Sequence, residues 1–208
     1  MWNNKTEQNT LDSLLKAINS GFGVETDVRD YDGKLVISHD LPDKKSPLFE
    51  YFIAKVKEQS SLSNSVLAIN IKSDGLANSL LELSKKYDFN SNLFYFDMST
   101  PMLNYFTKVF PSNSLCTRIS DIEPHPLLYE RCDWIWVDSF SDKRISTPKL
   151  RSLLSDNKKL VIVSPELHGK KHIDYWYELK KLKSKNIYLC TDFPIEARAY
   201  FNGNVGEK

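Results

Sequence analysis

The sequence predicts an α/β fold in which a parallel sheet forms a barrel, and two observations support this prediction. Apolar runs of strand length recur along all 208 residues, and segments with helical spacing separate them. Polar residues gather at the carboxyl end of each predicted strand, which is where parallel α/β barrels build their sites. No repeat, low-complexity tract or flexible linker interrupts the series, so residues 1–208 are predicted to form a single domain.

The predicted elements alternate along the chain. Thr10 can cap a first helix and Gly21 can end it. The strand GVETDVR follows, and Asp32-Gly33 favours a tight reversal into KLVISHD. Further strands are expected in VLAINIK, NLFYFD, SLCTRI, DWIWVD, KLVIVS and NIYLCT, and the helices include FEYFIAKVKEQ, LANSLLELSKKY, TPKLRSLLS and HIDYWYELKKLK. With the hairpin counted as one strand and an extension, the core strands number one fewer than a complete barrel needs.

Bulk composition excludes several classes of protein. The net charge of +1 gives no electrostatic footprint for a nucleic-acid partner. No window approaches the ~18 continuous apolar residues of a transmembrane segment, and the N-terminus lacks a signal-peptide pattern, so a cytoplasmic protein is expected. Three cysteines (Cys116, Cys132 and Cys190) cannot all pair, and each lies in an apolar segment, which predicts reduced thiols.

Glu25 and Asp27 interrupt a run that otherwise reads as a buried strand. A spacing of two on a strand sends both carboxylates to the same side. Two buried acids of like charge raise the pKa of one of them unless a cation keeps both ionised. A hard divalent ion, Mg²⁺ or Ca²⁺, suits such oxygen ligands. Arg29 offers a rival explanation as an ion-pair partner of the two acids.

His39 ends the next strand, beside Asp40. An imidazole titrates near working pH and can move a proton beside a metal-bound phosphate or hydroxyl, and Asp40 could orient it. The alternative is a surface histidine at a turn before Pro42. Among the other strand-end residues, Asp97 is open to two interpretations, a ligand or a helix cap.

The order N-T-L, then G-F-G-V-E-T-D-V-R, then D-G-K-L-V-I-S-H-D, resembles the N-terminal signature of the glycerophosphodiester phosphodiesterase family. The ending L-C-T-D-F-P-I-E-A resembles that family's closing T-D-x-P segment, so the similarity brackets nearly the whole chain. The resemblance implies a TIM-type (β/α)₈ barrel, a divalent metal on Glu25 and Asp27, and a role for His39 as one of two histidines serving as general acid and base.

The sequence departs from the family pattern on the next strand. The family's third metal ligand is a glutamate in an E-x-K pattern, and here the pattern reads Asn70-Ile71-Lys72. Asn70 could still coordinate a metal through its carbonyl oxygen, with one less negative charge. The resemblance implies that Lys72 faces the substrate phosphate.

A second departure concerns the family's opening strand, which ends in His-Arg-Gly and supplies the other catalytic histidine. Gln8-Asn9-Thr10 stands where E-N-T would be, and nothing before it supplies that strand or histidine. Either the sequence begins at an internal methionine, or the barrel is natively lacking or altered at its first strand.

His168 is the best replacement for the missing histidine, because VSPELHGKKH places it just beyond a strand. Glu166 could replace the charge lost at Asn70, although a proline-containing loop with a capping glutamate is also a common structural device. Arg118, at another strand end, is a candidate second phosphate anchor, since a guanidinium fork matches phosphate oxygens.

Together these residues predict a metal-dependent phosphoric diester hydrolase that cleaves a small glycerophosphodiester-like molecule to a phosphomonoester and an alcohol. The alternative is a catalytically impaired barrel that binds a phosphorylated glycerol or sugar without turnover. A third possibility is a structural barrel in which Arg29 and Lys72 neutralise Glu25 and Asp27.

Overall fold

The structure of the chain is a computed structural model that describes residues 7–58, 65–88, 92–141 and 143–203. These residues form two compact units. The first unit holds the described residues up to Thr117 together with Leu127–Asp133. The second holds Arg118–Pro126 and the described residues from Trp134 onward. The single domain expected for residues 1–208 stays a prediction.

The described residues of the first unit form α-helices and strands that alternate after an initial hairpin. They are α1 (Leu11–Asn19), β1 (Val24–Tyr31), β2 (Lys34–Ile37), α2 (Phe49–Glu58), β3 (Leu67–Ile71), α3 (Ala77–Tyr87), β4 (Leu93–Phe96) and α4 (Thr100–Val109). The strand order in the sheet is β2-β1-β3-β4. Strand β1 runs antiparallel to β2 and parallel to β3, and β3 runs parallel to β4.

Local sequence explains where the first elements begin and end. Thr10 caps α1, because its side chain accepts a hydrogen bond from the backbone N–H of Ser13. Asp32 and Gly33 have φ angles of 49° and 71°, and two successive left-handed residues give the reversal whose twist matches that of the flanking strands. The predicted cap and the predicted hairpin are both present.

Gly23 lets the chain before β1 approach the chain before β3 closely. A Cβ atom added at Gly23 would lie 2.7 Å from the carbonyl oxygen of Val66. The same carbonyl accepts a hydrogen bond of 2.9 Å from the backbone N–H of Val24. This position requires glycine because no side chain fits between the two segments.

The core of the first unit lies between its sheet and its helices. All five residues of β3 are buried, as expected for a strand of a parallel sheet that is covered on both faces. Rings from β4 and α4 pack together, with the centroid of Tyr95 5.6 Å from that of Phe106 and 4.9 Å from that of Phe110. This packing attaches α4 to the sheet.

A second sheet has the strand order β5-β6-β7-β8. Its strands and the helices that follow them are β5 (Cys116–Ile119), β6 (Trp134–Val137), α5 (Thr147–Ser155), β7 (Lys159–Val163), α6 (Ile173–Lys180), β8 (Ile187–Cys190) and α7 (Pro194–Asn202). A short 3₁₀ helix, Pro165–His168, follows β7. Strand β7 runs parallel to both β6 and β8.

The predicted strands and named helices are all present, and α4 and α7 are additional. Cys116 and Cys132 are buried, Cys190 is half-buried, and none of the three forms a disulfide, as predicted. None of the helices in the described ranges combines the length and the hydropathy of a bilayer-spanning segment. The expected alteration of the first barrel strand concerns the chain before Glu7, which lies outside the described residues, and it stays a prediction.

Candidate functional site

Strands β1 and β3 bring four of the sequence-predicted site residues together. The register places Glu25 beside Ala68 and Asp27 beside Asn70. Glu25 accepts a hydrogen bond from the side chain of Asn70 and lies within electrostatic range of Asp27, Lys72 and Asp97. We call Glu25, Asp27, Asn70, Lys72 and Asp97 the acidic cluster.

The two carboxylate oxygens of Asp27 differ in their hydrogen bonding. Its side chain is buried, and its Oδ2 atom accepts a hydrogen bond of 2.7 Å from Nδ2 of Asn9. The Oδ1 atom of Asn9 accepts one of 2.9 Å from the hydroxyl of Thr26. Within the described residues, Oδ1 of Asp27 has no hydrogen-bond partner. One oxygen of the carboxylate is therefore oriented by a hydrogen bond, and the other, which makes none, lies 3.4 Å from Nζ of Lys72.

Lys72 supplies positive charge to the acidic cluster. Its Nζ atom lies 3.4 Å from Oδ1 of Asp27 and 3.8 Å from Oδ2 of Asp97. Asp97 follows β4 with a φ angle of 66°, and the neighbouring α4 is capped by Ser99, whose hydroxyl accepts from the N–H of Met102. The helix is therefore capped by Ser99 and not by Asp97, so the cap interpretation is wrong and the ligand interpretation stays a prediction.

Burial and the neighbouring carboxylate of Asp27 raise the pKa of Glu25 to about 8. The hydrogen bond from Asn70 and the charge of Lys72 act in the opposite direction but only in part. Glu25 therefore carries a proton at neutral pH unless another cation approaches. Three carboxylates meet one ammonium group, which leaves an excess of two negative charges when all are ionised.

The donor atoms of the cluster fit a hard divalent cation. They are carboxylate and amide oxygens, which Mg²⁺ and Ca²⁺ prefer. Oδ1 of Asn70, like Oδ1 of Asp27, is buried without a hydrogen-bond partner in the described part of the chain. No group of three or more His, Cys, Asp or Glu side chains in those ranges has the arrangement of a metal site. A cation here would therefore need the amide oxygen of Asn70 as a ligand.

The His39 side chain lies in an exposed loop, with 68% of its surface accessible to solvent. Its Nδ1 atom lies 3.0 Å from Oδ1 of Asp40, so the expected pairing with Asp40 is present. The carbonyl of His39 accepts hydrogen bonds from Nε and Nη2 of Arg29, whose Nη1 atom donates to the carbonyl of Lys72. Arg29 therefore ties the two backbones together, and its expected alternative role as counter-ion of the acids is wrong.

In the second unit, His168 forms a pair with Asp138. Nε2 of His168 lies 2.7 Å from Oδ1 of Asp138, which follows β6 and also accepts a hydrogen bond from the N–H of Ser139. The imidazole packs edge-on against the ring of Phe140 at 5.7 Å. A carboxylate that orients an imidazole in this way can support proton transfer.

Two other sequence candidates in the second unit are engaged locally. Nε of Arg118 pairs with Oε2 of Glu123, and its guanidinium lies 5.9 Å from the ring centroid of Phe140. The carboxylate of Glu166 accepts hydrogen bonds from the hydroxyls of Ser164 and Thr191. These contacts assign Glu166 a structural role in fixing the chain after β7 and β8.

His172, at the start of α6, is largely buried. Its side chain is only 15% exposed, and its ring packs 4.3 Å from that of Trp176 and 5.4 Å from that of Phe193. Sequence reasoning also missed Asn9, although Asn9 lies inside the N-T-L motif. Its role depends on a hydrogen bond across 18 positions, which no local pattern reveals.

No protein-family model matches the sequence, and no curated protein does. Several solved structures do match the chain. A glycerophosphodiester phosphodiesterase from Parabacteroides distasonis matches with a TM-score of 0.70 at 16% identity, covering 97% of this chain and 93% of that one. A putative glycerophosphodiester phosphodiesterase from Galdieria sulphuraria gives 0.74 at 16% identity, with 94% and 91% covered.

A phosphodiesterase from Oleispira antarctica, solved in complex with the product sn-glycerol-3-phosphate, matches with a TM-score of 0.70 at 16% identity. The match covers 94% of this chain and 92% of that one. At this level of identity the likeness concerns the fold, and it extends over almost the whole length of each partner. The chain therefore has the α/β fold of the glycerophosphodiester phosphodiesterases, the fold class that the sequence resemblance implies.

Proposed function

We propose that this chain is a metal-dependent phosphodiesterase that hydrolyses a small glycerophosphodiester-like substrate to a phosphomonoester and an alcohol. The observation that carries the proposal is the acidic cluster, in which three carboxylates outnumber the single lysine and two buried oxygens lack hydrogen bonds. The shared fold with phosphodiesterases supports it. The proposal places the enzyme in the cytoplasm, with a small molecule and not a nucleic acid as its partner.

Glu25, Asp27 and Asn70 are the proposed ligands of Mg²⁺ or Ca²⁺. When bound, such a cation supplies charge stabilisation at a phosphoryl oxygen and lowers the pKa of a coordinated hydroxyl. Asn9 orients Asp27 through Oδ2, which leaves Oδ1 without a hydrogen bond, beside Lys72. Lys72 donates to a second phosphoryl oxygen, where negative charge builds up in the transition state.

His39 and His168 are the proposed proton carriers, and Arg118 is the proposed second phosphate anchor. A water oxygen, or a hydroxyl of the substrate, attacks phosphorus and loses its proton to one imidazole. The phosphorus–oxygen bond to the alcohol breaks, and the alcohol oxygen takes a proton from the other. Attack by a substrate hydroxyl gives a cyclic phosphodiester first, which water then opens to the phosphomonoester by the same exchange of protons.

Turnover of glycerophosphocholine with Mg²⁺, with Ca²⁺ and with a chelator tests the proposal. Release of a phosphomonoester, followed by ³¹P NMR, is expected with at least one ion and is expected to stop with the chelator. The double variant Glu25→Gln, Asp27→Asn should be inactive while retaining its circular dichroism spectrum. Equal product formation by the double variant and the unmodified chain would remove the acidic cluster from the reaction.

One observation favours the alternative of a barrel that binds a phosphorylated glycerol or sugar without turnover. In the described part of the chain, no hydrogen bond or ion pair joins the exposed imidazole of His39 to the acidic cluster. Calorimetry with glycerol phosphate, together with the turnover assay, separates the two functions. Binding of glycerol phosphate without turnover of any phosphodiester would support the alternative.

A further inference from the structure

The second unit contains a pocket with a volume of about 400 Å³. It lies where the chain after β6, the end of β7 and the start of α6 meet. Its polar lining includes Ser139, Arg144, His168, Lys170, Lys171 and Tyr175, and we call it the basic pocket. The volume falls within the range of ~300 to 1,000 Å³ that is usual for small-molecule sites.

The lining of the basic pocket is positively charged. It contains one arginine and two lysines, and none of its nine lining residues is acidic. Such a concentration of one sign contrasts with the balanced net charge of +1 for the whole chain. A concave surface of this kind raises the local concentration of anions.

Two of the cations are held in place by the backbone. Nζ of Lys170 donates to the carbonyls of Phe140 and Ser141, at 3.3 Å and 2.5 Å. Nη2 of Arg144 donates to the carbonyl of Lys171 at 3.3 Å, and its guanidinium lies 5.1 Å from the ring centroid of Tyr175. Carbonyl acceptors fix the position of these groups, so this part of the pocket is organised before any ligand arrives.

The buried hydroxyl of Tyr175 is a second feature, independent of the charge, that indicates a ligand in the basic pocket. The side chain lines the pocket, the residue is only 5% exposed, and its hydroxyl has no hydrogen-bond partner among the described residues. Burial raises the pKa of Tyr175 to about 12, so the group stays protonated and able to donate. A buried donor without a partner is costly, and an acceptor oxygen from a ligand would remove that cost.

We propose that the basic pocket binds a small phosphate-bearing anion, with Arg144, Lys171 and the Tyr175 hydroxyl as its donors. A phosphate monoester presents three acceptor oxygens and close to two negative charges, which matches a guanidinium, an ammonium and a hydroxyl. A carboxylate would use fewer of these donors. The acidic cluster shares no residue with this pocket, and of the proposed catalytic residues only His168 lines it, so phosphate binding here can be tested separately from turnover.

Calorimetric titration of the full chain with inorganic phosphate and with glycerol 3-phosphate tests the inference. A chelator is present throughout, so that no divalent ion draws phosphate to the acidic cluster. Tyr175→Phe removes only a hydroxyl that makes no hydrogen bond, and it should fold normally. We expect it to weaken binding by about tenfold, the effect of one hydrogen bond to a charged group. Lys171→Gln should weaken binding in the same direction.

Tyr177→Phe is the matched control, because Tyr177 is an exposed tyrosine two residues further along α6 and does not line the pocket. It should bind phosphate as the unmodified chain does. Tighter binding of glycerol 3-phosphate than of inorganic phosphate would identify an organic phosphate as the ligand, and the reverse order would identify the free ion. Absence of binding for both, or equal affinities in Tyr175→Phe and the unmodified chain, would overturn the inference.

Discussion

Asn9 donates a hydrogen bond of 2.7 Å from its side-chain nitrogen to Oδ2 of Asp27, and this bond connects the segment before α1 to the acidic cluster. The Thr26 hydroxyl fixes the orientation of the Asn9 amide by donating to its oxygen. Asn9 has a φ angle of 54°, in a region that asparagine tolerates better than most residues. Backbone conformation and side-chain chemistry therefore both favour asparagine at this position.

Replacing Asn9 by Ala should weaken divalent metal binding by about 10- to 100-fold, the usual effect of removing a partner that orients a ligand. The carboxylate of Asp27 then loses its fixed orientation while remaining in place. Titration with Mg²⁺ and Ca²⁺ measures the change. Asn104→Ala, on the exposed side of α4, is the matched control and should bind as the unmodified chain does. Unchanged affinity in Asn9→Ala would contradict the proposed role of Asp27.

The raised pKa of Glu25 predicts how the stability of the metal-free chain depends on pH. The pKa is about 8 in the folded chain and near its ordinary value of 4.5 in the unfolded chain. Between these values the folded state binds one proton more, so stability falls as pH rises from about 4.5 to about 8. Glu25→Gln removes this contribution. Urea unfolding at several pH values, with a chelator present, should show a flatter pH dependence for the variant, and parallel curves would contradict the prediction.

Lys72→Gln separates an enzyme from a purely structural barrel. The substitution removes the cation that lies near Asp27 and Asp97, and with it a repulsion against any bound metal ion. We expect divalent binding to be retained or tightened, while turnover falls by about 10²-fold because the phosphate loses a donor. Lys85→Gln, exposed on α3, serves as control. Weaker metal binding together with a large loss of stability would support the structural alternative, with Lys72 as counter-ion.

His39→Ala should lower turnover by about 10² to 10⁴-fold while leaving metal affinity nearly intact, as expected for a general acid or base. The side chain is exposed, so no loss of stability should accompany the change. His125→Ala replaces another exposed histidine and controls for the loss of an imidazole. Equal turnover in His39→Ala and the unmodified chain would exclude the role.

His168→Ala should also lower turnover, and Asp138→Asn should lower it in the same direction. The pair is joined at 2.7 Å, and the amide cannot stabilise an imidazolium as the carboxylate does. Initial rates with glycerophosphocholine measure both effects. Turnover in Asp138→Asn equal to that of the unmodified chain would assign the pair a structural role only.

The sequence predicted the strands and the acidic pair because both depend on short periods. Alternation along β1 sends Glu25 and Asp27 to one side whatever the rest of the fold does. The position of Asn70 and Lys72 beside this pair could also be predicted, because neighbouring parallel strands bring their carboxyl ends to the same edge of the sheet. Local pattern was therefore enough for the part of the site that lies on adjacent strands.

Features that depend on long-range geometry were not accessible in this way. Arg29 has the spacing of an acid partner, yet its guanidinium turns to two carbonyls because the hairpin brings the backbone of His39 within reach. The burial of His172 depends on Trp176 and Phe193, which α6 and α7 supply. Periodicity indicates on which face of a strand or helix a side chain lies, but it does not indicate which residue contacts that side chain.

Gly23 limits which substitutions the chain can accept just before β1. Any larger residue there would place a Cβ atom 2.7 Å from the carbonyl oxygen of Val66, so the backbone must shift, and Glu25 is only two residues further on. The preference of an oxygen-lined site for a small or a large divalent ion depends on the size and rigidity of the cavity. Under selection for a different ion preference, a substitution at Gly23 could therefore alter the proposed metal site, although Gly23 is not one of its proposed ligands.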